Sequence, residues 1–187
     1  GVAVTVAWPM KCIQPAGDRI KTDARDAVLL ARLLKMDELV AVRVPTEAEE
    51  SARDFVRARD DARIELMAAR HRLSKLLLRR GLVYPGTGTW GRPHDAWLRA
   101  ARRDGLDQAG IGTLAAFDAS YDAVAQIVAR KDRLDREITA MAANSEFTDV
   151  TTRLGCLRGI STLTGFALAV EIGDWHRLTG ASIAAYL

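Results

Sequence analysis

The feature that most constrains this chain is a run of 35 residues, 46–80, that contains neither proline nor glycine. Pro45 precedes the run, and Thr46 followed by Glu49 has the spacing of a capping box, which marks a helix start. We therefore predict one helix about 50 Å long, at about 1.5 Å per residue. Its predicted packing seam consists of Phe55, Ala62, Leu66, Ala69, Leu73 and Leu76. A helix of this length rarely packs alone, so a partner is expected.

A second long run, Gly112–Ala143, supplies that partner. Its apolar residues alternate at three- and four-residue spacing, and they are Leu114, Phe117, Tyr121, Val124 and Val128. Between the two runs, Tyr84–Pro93 holds three glycines and two prolines and is predicted to be a loop. A short helix over His94–Arg103, ended by Gly105, follows the loop. This order predicts an antiparallel helical hairpin, or coiled coil.

Residues 1–44 follow a different pattern. Val2–Trp8 is rich in valine and alternates, which predicts a strand, and Pro9–Asp18 is predicted to be a loop. Lys21–Met36 has helical spacing, and Leu39–Val44 is a second short β-branched run. Strand, loop and helix in this order are typical of the edge of an α/β layer.

The last segment, residues 148–187, is again helical in pattern. Helices are predicted over Asp149–Leu157, Thr162–Ile172 and Ser182–Leu187. The turn at Gly159 between the first two resembles a helix-hairpin-helix turn, in which backbone amides receive a phosphate. The alternative is that Gly159 serves only the turn. The predicted fold is therefore mainly α, in three segments: 1–44, 45–147 and 148–187.

Positive charge is concentrated in the middle of the chain. Between Leu66 and Arg103 a single anion, Asp95, stands against nine cations, so this stretch carries +8 in a chain whose formal net charge is +3. A polyanion would bind the middle first. The predicted nucleic-acid contacts are Arg70, Arg72, Lys75, Arg79, Arg80, Arg99, Arg102, Arg103 and, in the tail, Gly159.

Three aromatic residues, Tyr84, Trp90 and Trp97, lie among these cations and suit stacking on bases. The alternative is structural, because long helices often carry solvated arginine faces and tryptophans in small helical proteins are often core residues. The acid-free run from Arg70 to Arg80 favours binding.

Asp23 and Asp26 form the clearest candidate for chemistry. At i and i+3 near a helix start they lie on one face, with β-carbons about 5–6 Å apart. Carboxylates bind hard ions such as Mg²⁺, and paired ions assist phosphodiester cleavage. Acidic residues in a first helical turn also stabilise a helix through its dipole, and the spacing leaves that alternative open.

Other classes of protein are excluded or disfavoured. No apolar stretch reaches the roughly 18 residues of a membrane span. Cys12 and Cys156 have no partner motif, which favours a reducing compartment, and both are expected to be buried. His71, His94 and His176 lack the spacing of metal ligands and are left unassigned.

Several motifs resemble transposases of the insertion-sequence one-ten family. Gly17–Ala27 with Leu29–Leu34 resembles the end of that family's RuvC-like DEDD domain, which is an RNase H-like α/β domain. The coiled-coil likeness is carried by Val44-Pro45, Arg53-Asp54, Val56–Arg59 and Ala69–Gly81. Gly155–Leu187 resembles the opening of the C-terminal transposase domain. The motifs keep the family's order and cover most of the chain.

The resemblance implies a role for each segment and for the acidic pair. Residues 1–44 would end the RuvC-like domain, residues 45–147 would form the coiled-coil hairpin with its basic connector, and residues 148–187 would begin the transposase domain. Asp23 and Asp26 match the last two acidic residues of a four-carboxylate site that binds Mg²⁺. The other two are expected upstream of this chain, and the family's serine nucleophile downstream of it. Neither Ser161 nor Ser182 matches that serine.

The function implied is that of a piece of a bacterial DNA transposase, acting in the cytoplasm in transposition of an insertion sequence. The implied partners are DNA, a non-coding guide RNA and further copies of the chain, which associate through the coiled coil. One alternative is a non-catalytic helical nucleic-acid-binding module that remains from a decayed element. Another is a coiled-coil interaction protein with no nucleic-acid role.

Overall fold

The computed structural model describes residues 4–7 and 22–183, with the side chain of Arg177 left out. The chain divides into two compact units, Gly1–Glu47 and Ala48–Leu187. The helices are α1 (Asp23–Lys35), α2 (Glu47–Leu78), α3 (Arg92–Ala100), α4 (Ile111–Ala143), α5 (Thr148–Gly155), α6 (Thr162–Ile172) and α7 (Gly180–Ile183). Among these described helices, none is both long and apolar enough to cross a membrane. The predicted mainly α fold is confirmed.

In the first unit, α1 begins where the sequence predicts a helix. The Oγ1 of Thr22 accepts a hydrogen bond from the backbone N–H of Arg25 at 3.4 Å, which caps the helix. The two predicted strands are reduced to one isolated antiparallel bridge between Ala7 and Ala41 within residues 4–7 and 22–47. A lone bridge does not make a ladder, so no regular strand forms there. The predicted loop over residues 9–18 lies outside the described residues.

The second unit is built on an antiparallel pair of long helices, α2 and α4. Three cross-helix contacts show the direction, because residue numbers rise along α2 as they fall along α4. The pairs are Arg59 with Asp135, Glu65 with Arg130, and Arg80 with Thr113. The predicted helical hairpin is confirmed.

One hydrophobic core fills the connector end of this hairpin. Leu73 and Leu77 of α2 and Phe117 of α4 are at most 2% exposed, and Leu98 of α3 and Leu106 pack with them. Burying each of these side chains stabilises the fold by about 1.5–3 kcal/mol. This core fixes the connector against the end of α2.

A second core lies at the other end of the hairpin. Ala52 of α2 and Ile138 of α4 pack there with Phe147 and Phe166, whose rings meet edge to face at 5.7 Å. The Nε of Arg53 also donates a hydrogen bond to the carbonyl of Val170 in α6 at 3.2 Å. Helices α5 and α6 therefore belong to the same compact unit as the hairpin.

The expectation that both cysteines are buried is wrong for Cys156, which is exposed. Cys156 follows the last turn of α5, where the chain leaves the second core, and its neighbour Leu157 is also exposed. Cys12 lies outside the described residues.

Candidate nucleic-acid interface

The two halves of α2 differ in how their cations are paired. Arginines of the first half each contact a carboxylate: Arg53 with Glu50, Arg57 with Glu171, Arg59 with Asp135, and Arg63 with Asp60. Arg72 and Lys75 in the second half, and Arg79 directly after the helix, are exposed and have no ion pair within the described chain. The free positive charge of α2 is therefore at its C-terminal end.

These three side chains, which we call the basic stripe, share one face of α2. Spacings of three and four residues place Arg72, Lys75 and Arg79 next to one another along about 10 Å of helix. Leu73 and Leu77, on the other side of the helix, are buried in the hairpin core. The stripe thus faces away from the core.

The N-terminus of α4 lies beside the end of the stripe. Arg79 and Arg80 line a cavity of about 390 Å³ together with Gly112 and Thr113, and the Nη2 of Arg80 donates to the Oγ1 of Thr113 at 2.6 Å. This helix has Gly110 as its N-cap, no side-chain cap and no acidic residue in its first turn. Its first-turn N–H groups and the positive end of its dipole therefore lie beside two guanidinium groups, an arrangement that suits a phosphate.

The residues proposed from the sequence include none at the start of α4. The available signal is weak: a glycine, Gly110, directly before a long run that lacks an acidic first turn. That this helix start lies next to Arg79 and Arg80 follows only from the antiparallel packing of the hairpin.

Arg70 lies apart from the stripe. Its guanidinium carbon is 5.0 Å from the centroid of the Trp90 ring, a cation–π contact. Its Nε is buried and has no hydrogen-bond partner in the described part of the chain, and burial lowers the pKa of the Arg70 side chain. The Arg70 side chain lines a cleft between α2, α3 and α4.

The three remaining predicted cations are paired with carboxylates. The Nη2 of Arg99 is 2.9 Å from the Oδ2 of Asp95. Both carboxylate oxygens of Asp118 accept hydrogen bonds from Arg102, at 3.0 and 2.8 Å, and this contact lowers the pKa of Asp118. Arg103 makes the same kind of contact with its neighbour, Asp104. The structure thus separates the predicted cations into a free group on α2 and a paired group near α3.

A cluster of aromatic rings surrounds His94, which is only 4% exposed. The ring centroids of Tyr84, Trp90 and Trp97 lie 4.8, 4.9 and 5.6 Å from that of His94. Burial lowers the pKa of His94 below its ordinary value, which favours the neutral ring. Packing around His94 is therefore the main role of Tyr84 and Trp97, whereas Trp90 also lines the cleft.

The glycine turn of the tail lies between α5 and α6. Gly159 is exposed with φ +90, and the N–H of Ile160 donates to the carbonyl of Leu157 at 3.2 Å. Ser161 caps α6 by accepting from the N–H of Thr164 at 3.2 Å. These two helices pack at the end of the hairpin that is distant from the basic stripe.

The acidic pair is in the first turn of α1, where Asp23 is exposed and Asp26 is partly buried. In the part of the chain that the structure describes, no group of three or more His, Cys, Asp or Glu side chains comes together as a metal site. Two carboxylates alone do not complete a site for paired metal ions.

No protein-family model and no solved structure matches the chain. Two curated bacterial proteins are similar to it. One, named as a transposase, y4qE, of Sinorhizobium fredii, is 32% identical over 92% of this chain and 40% of its own length. The other, the transposase for insertion sequence element IS1533 of Leptospira borgpetersenii, is 31% identical over 94% of this chain and 50% of its own length.

Over most of its length, the chain is similar to transposases. The chain spans half or less of the length of each of these transposases.

Proposed function

We propose that this chain is a nucleic-acid-binding part of a transposase of the insertion-sequence one-ten family, acting in transposition of an insertion sequence. The observation that carries the proposal is the basic stripe, whose three cations have no carboxylate partner among the described residues. The similarity to two proteins named transposases supports the same function.

Binding begins with the phosphate backbone. Each cation of the stripe that neutralises a phosphate releases counterions, which favours association. The stripe extends along about 10 Å of helix, which is the length of about three nucleotide steps at 3.4 Å each. The N-terminus of α4, with Arg79 and Arg80 beside it, holds one further phosphate. DNA is the proposed ligand, and a structured guide RNA offers the same backbone chemistry.

Self-association through the hairpin is part of the proposal. Ile64, Met67 and Leu78 are 53, 51 and 50% exposed, although they are large apolar residues of α2. Helical spacing places them on the side of α2 opposite its buried residues. A second copy of the hairpin would cover this face, and light scattering that gave only the monomer mass at all concentrations would exclude that association.

For the acidic pair, we propose that Asp23 and Asp26 provide two carboxylates of a Mg²⁺ site in the longer protein. The support is their match to the family motif and their adjacent positions in the first turn of α1. In a full-length protein, Asp23→Asn and Asp26→Asn should each abolish Mg²⁺-dependent transposition and leave the circular dichroism spectrum unchanged. Glu38→Gln, an exposed acid of the same unit, is the matched control. Transposition that survives either aspartate change would remove that residue from the site.

The test of nucleic-acid binding compares two charge-matched triple variants. Replacing Arg72, Lys75 and Arg79 by glutamine should reduce the slope of log K against log salt by about 0.9 per lost duplex phosphate contact, hence by roughly 2–3. Replacing the paired residues Arg99, Arg102 and Arg103 by glutamine removes the same formal charge, but the slope should change by less than about 1.

The measurement is titration of a labelled duplex at several salt concentrations, with thermal unfolding as the check that each variant folds. Equal slopes for the two triple variants would contradict the assignment of the stripe. Absence of binding by the wild-type chain at low salt would overturn the proposed function.

A further inference from the structure

A cleft of about 410 Å³ lies between α2, α3 and α4, separate from the basic stripe. Its volume is within the range of about 300–1,000 Å³ that is usual for small-ligand sites. One edge carries two cations, Arg70 and Arg92, and the ring of Trp90 lies beside them. The apolar part of the lining includes Leu98, Val124 and Val128.

The polar edge of the cleft has unused hydrogen-bonding groups. The Nε of Arg70 and the Nδ1 of His94 are buried and have no hydrogen-bond partner among residues 4–7 and 22–183. Gly91, the N-cap of α3, also lines the cleft, and this helix has no side-chain cap. Because Pro93 has no N–H, the first-turn donors of α3 are provided by its neighbours, Arg92 and His94. Two cations and a helix N-terminus favour an anion.

Among the described residues that line the cleft, the one carboxylate, Asp95, is already paired. Asp95 accepts a hydrogen bond from the hydroxyl of Tyr121 at 2.5 Å and forms an ion pair with Arg99 at 2.9 Å. These contacts offset its charge, so it does not cancel the attraction of Arg70 and Arg92 for an anion. A ligand that fits must therefore combine an anionic group with a flat apolar body.

We propose that this cleft receives one unpaired nucleotide of the bound nucleic acid. Its phosphate lies toward Arg70 and Arg92, and its base lies between Trp90 and the wall formed by Val124 and Val128. A base held in a duplex is not free to enter, so the cleft distinguishes a bulged or looped nucleotide from paired sequence. The inference rests on the proposed nucleic-acid binding and adds to it a preference for strand irregularity.

The experiment compares a fully paired duplex with the same duplex carrying a single bulged 2-aminopurine nucleotide. Stacking of one base on aromatic and apolar side chains predicts about tenfold tighter binding of the bulged duplex by the wild-type chain. The emission of 2-aminopurine should also change on binding, because its stacking partners change.

Two variants test whether the preference for the bulged duplex arises in the cleft. Val128→Trp fills the cleft from its apolar wall and should abolish both the tenfold preference and the emission change, while binding of the paired duplex is kept. Ala129→Trp, on the neighbouring exposed position of α4, is the matched control and should behave as the wild type.

The outcomes separate this inference from the proposed function. Binding of both duplexes with equal affinity would overturn the cleft assignment alone. A preference that persists in Val128→Trp would also overturn it. No binding of either duplex at low salt would overturn both.

Discussion

Asp135 of α4 joins the two long helices of the hairpin. Its Oδ1 accepts a hydrogen bond from the Nε of Arg59 in α2 at 2.8 Å, and its Oδ2 accepts one from the Nζ of Lys131 at 2.5 Å. The three side chains are only 22–26% exposed. Burial raises the pKa of Asp135, but the contacts with Arg59 and Lys131 outweigh it, and the net pKa is lowered.

We predict that Asp135→Asn destabilises the second unit by about 2 kcal/mol. A hydrogen bond to a charged group contributes about 1.5–3 kcal/mol, and here two such bonds are weakened in a partly solvated site, which reduces the total. Asp132→Asn is the matched control on the same helix. Asp132 is 52% exposed, and its one ion pair among the described residues is with Lys131 at 3.3 Å, so its loss should cost less than about 0.5 kcal/mol.

The assay is urea unfolding of each variant over a range of pH. Because the folded pKa of Asp135 is lowered, its contribution is complete above the ordinary carboxyl pKa of 3.8 and is lost as pH falls through the folded value. The difference in the free energy of unfolding between wild type and Asp135→Asn should therefore be constant from about pH 5 to about pH 8 and should narrow in acid. A destabilisation by Asp135→Asn equal to that by Asp132→Asn, or one that does not change in acid, would refute this account of the contact.

Two further predictions concern the tail. Gly159→Ala should destabilise by about 1–2 kcal/mol, because Gly159 has φ +90, whereas Gly155→Ala should stabilise by up to about 1 kcal/mol, because Gly155 is helical and has open space around it. Urea unfolding measures both changes, and effects of the same sign would contradict the described turn. Cys156 should react rapidly with a thiol reagent in the folded chain, since it is exposed, and Cys156→Ser should lose that rapid phase.

The helices could be predicted from the sequence because their signals are local. The run after Pro45 begins a helix at Glu47, and the predicted helix over Thr162–Ile172 has the same bounds in the structure. The predicted strands depend on long-range contacts instead. A valine-rich segment such as Val2–Trp8 becomes a strand only if a partner strand completes the ladder. Residues 4–7 make one bridge, and the remainder of that segment lies outside the described residues.

The candidate site shows the same division between local and long-range information. That Arg72, Lys75 and Arg79 lie on one face follows from helical spacing. The pairing of Arg102 cannot be predicted from helical spacing, because its partner, Asp118, lies on the next long helix, α4. The cleft was also beyond sequence reasoning, since it exists only where three helices pack around Trp90.

The length of the hairpin also sets the minimum length of a duplex that could contact both of its ends. The basic stripe is at one end of α2, and the core around Ala52, which holds the tail helices, is at the other. From Ala52 to Arg79 the helix spans about 40 Å at about 1.5 Å per residue. A single duplex in contact with both the stripe and the turn at Gly159 would have to extend over about 12 base pairs at 3.4 Å each. Oligonucleotides shorter than this would reach only one end of the hairpin.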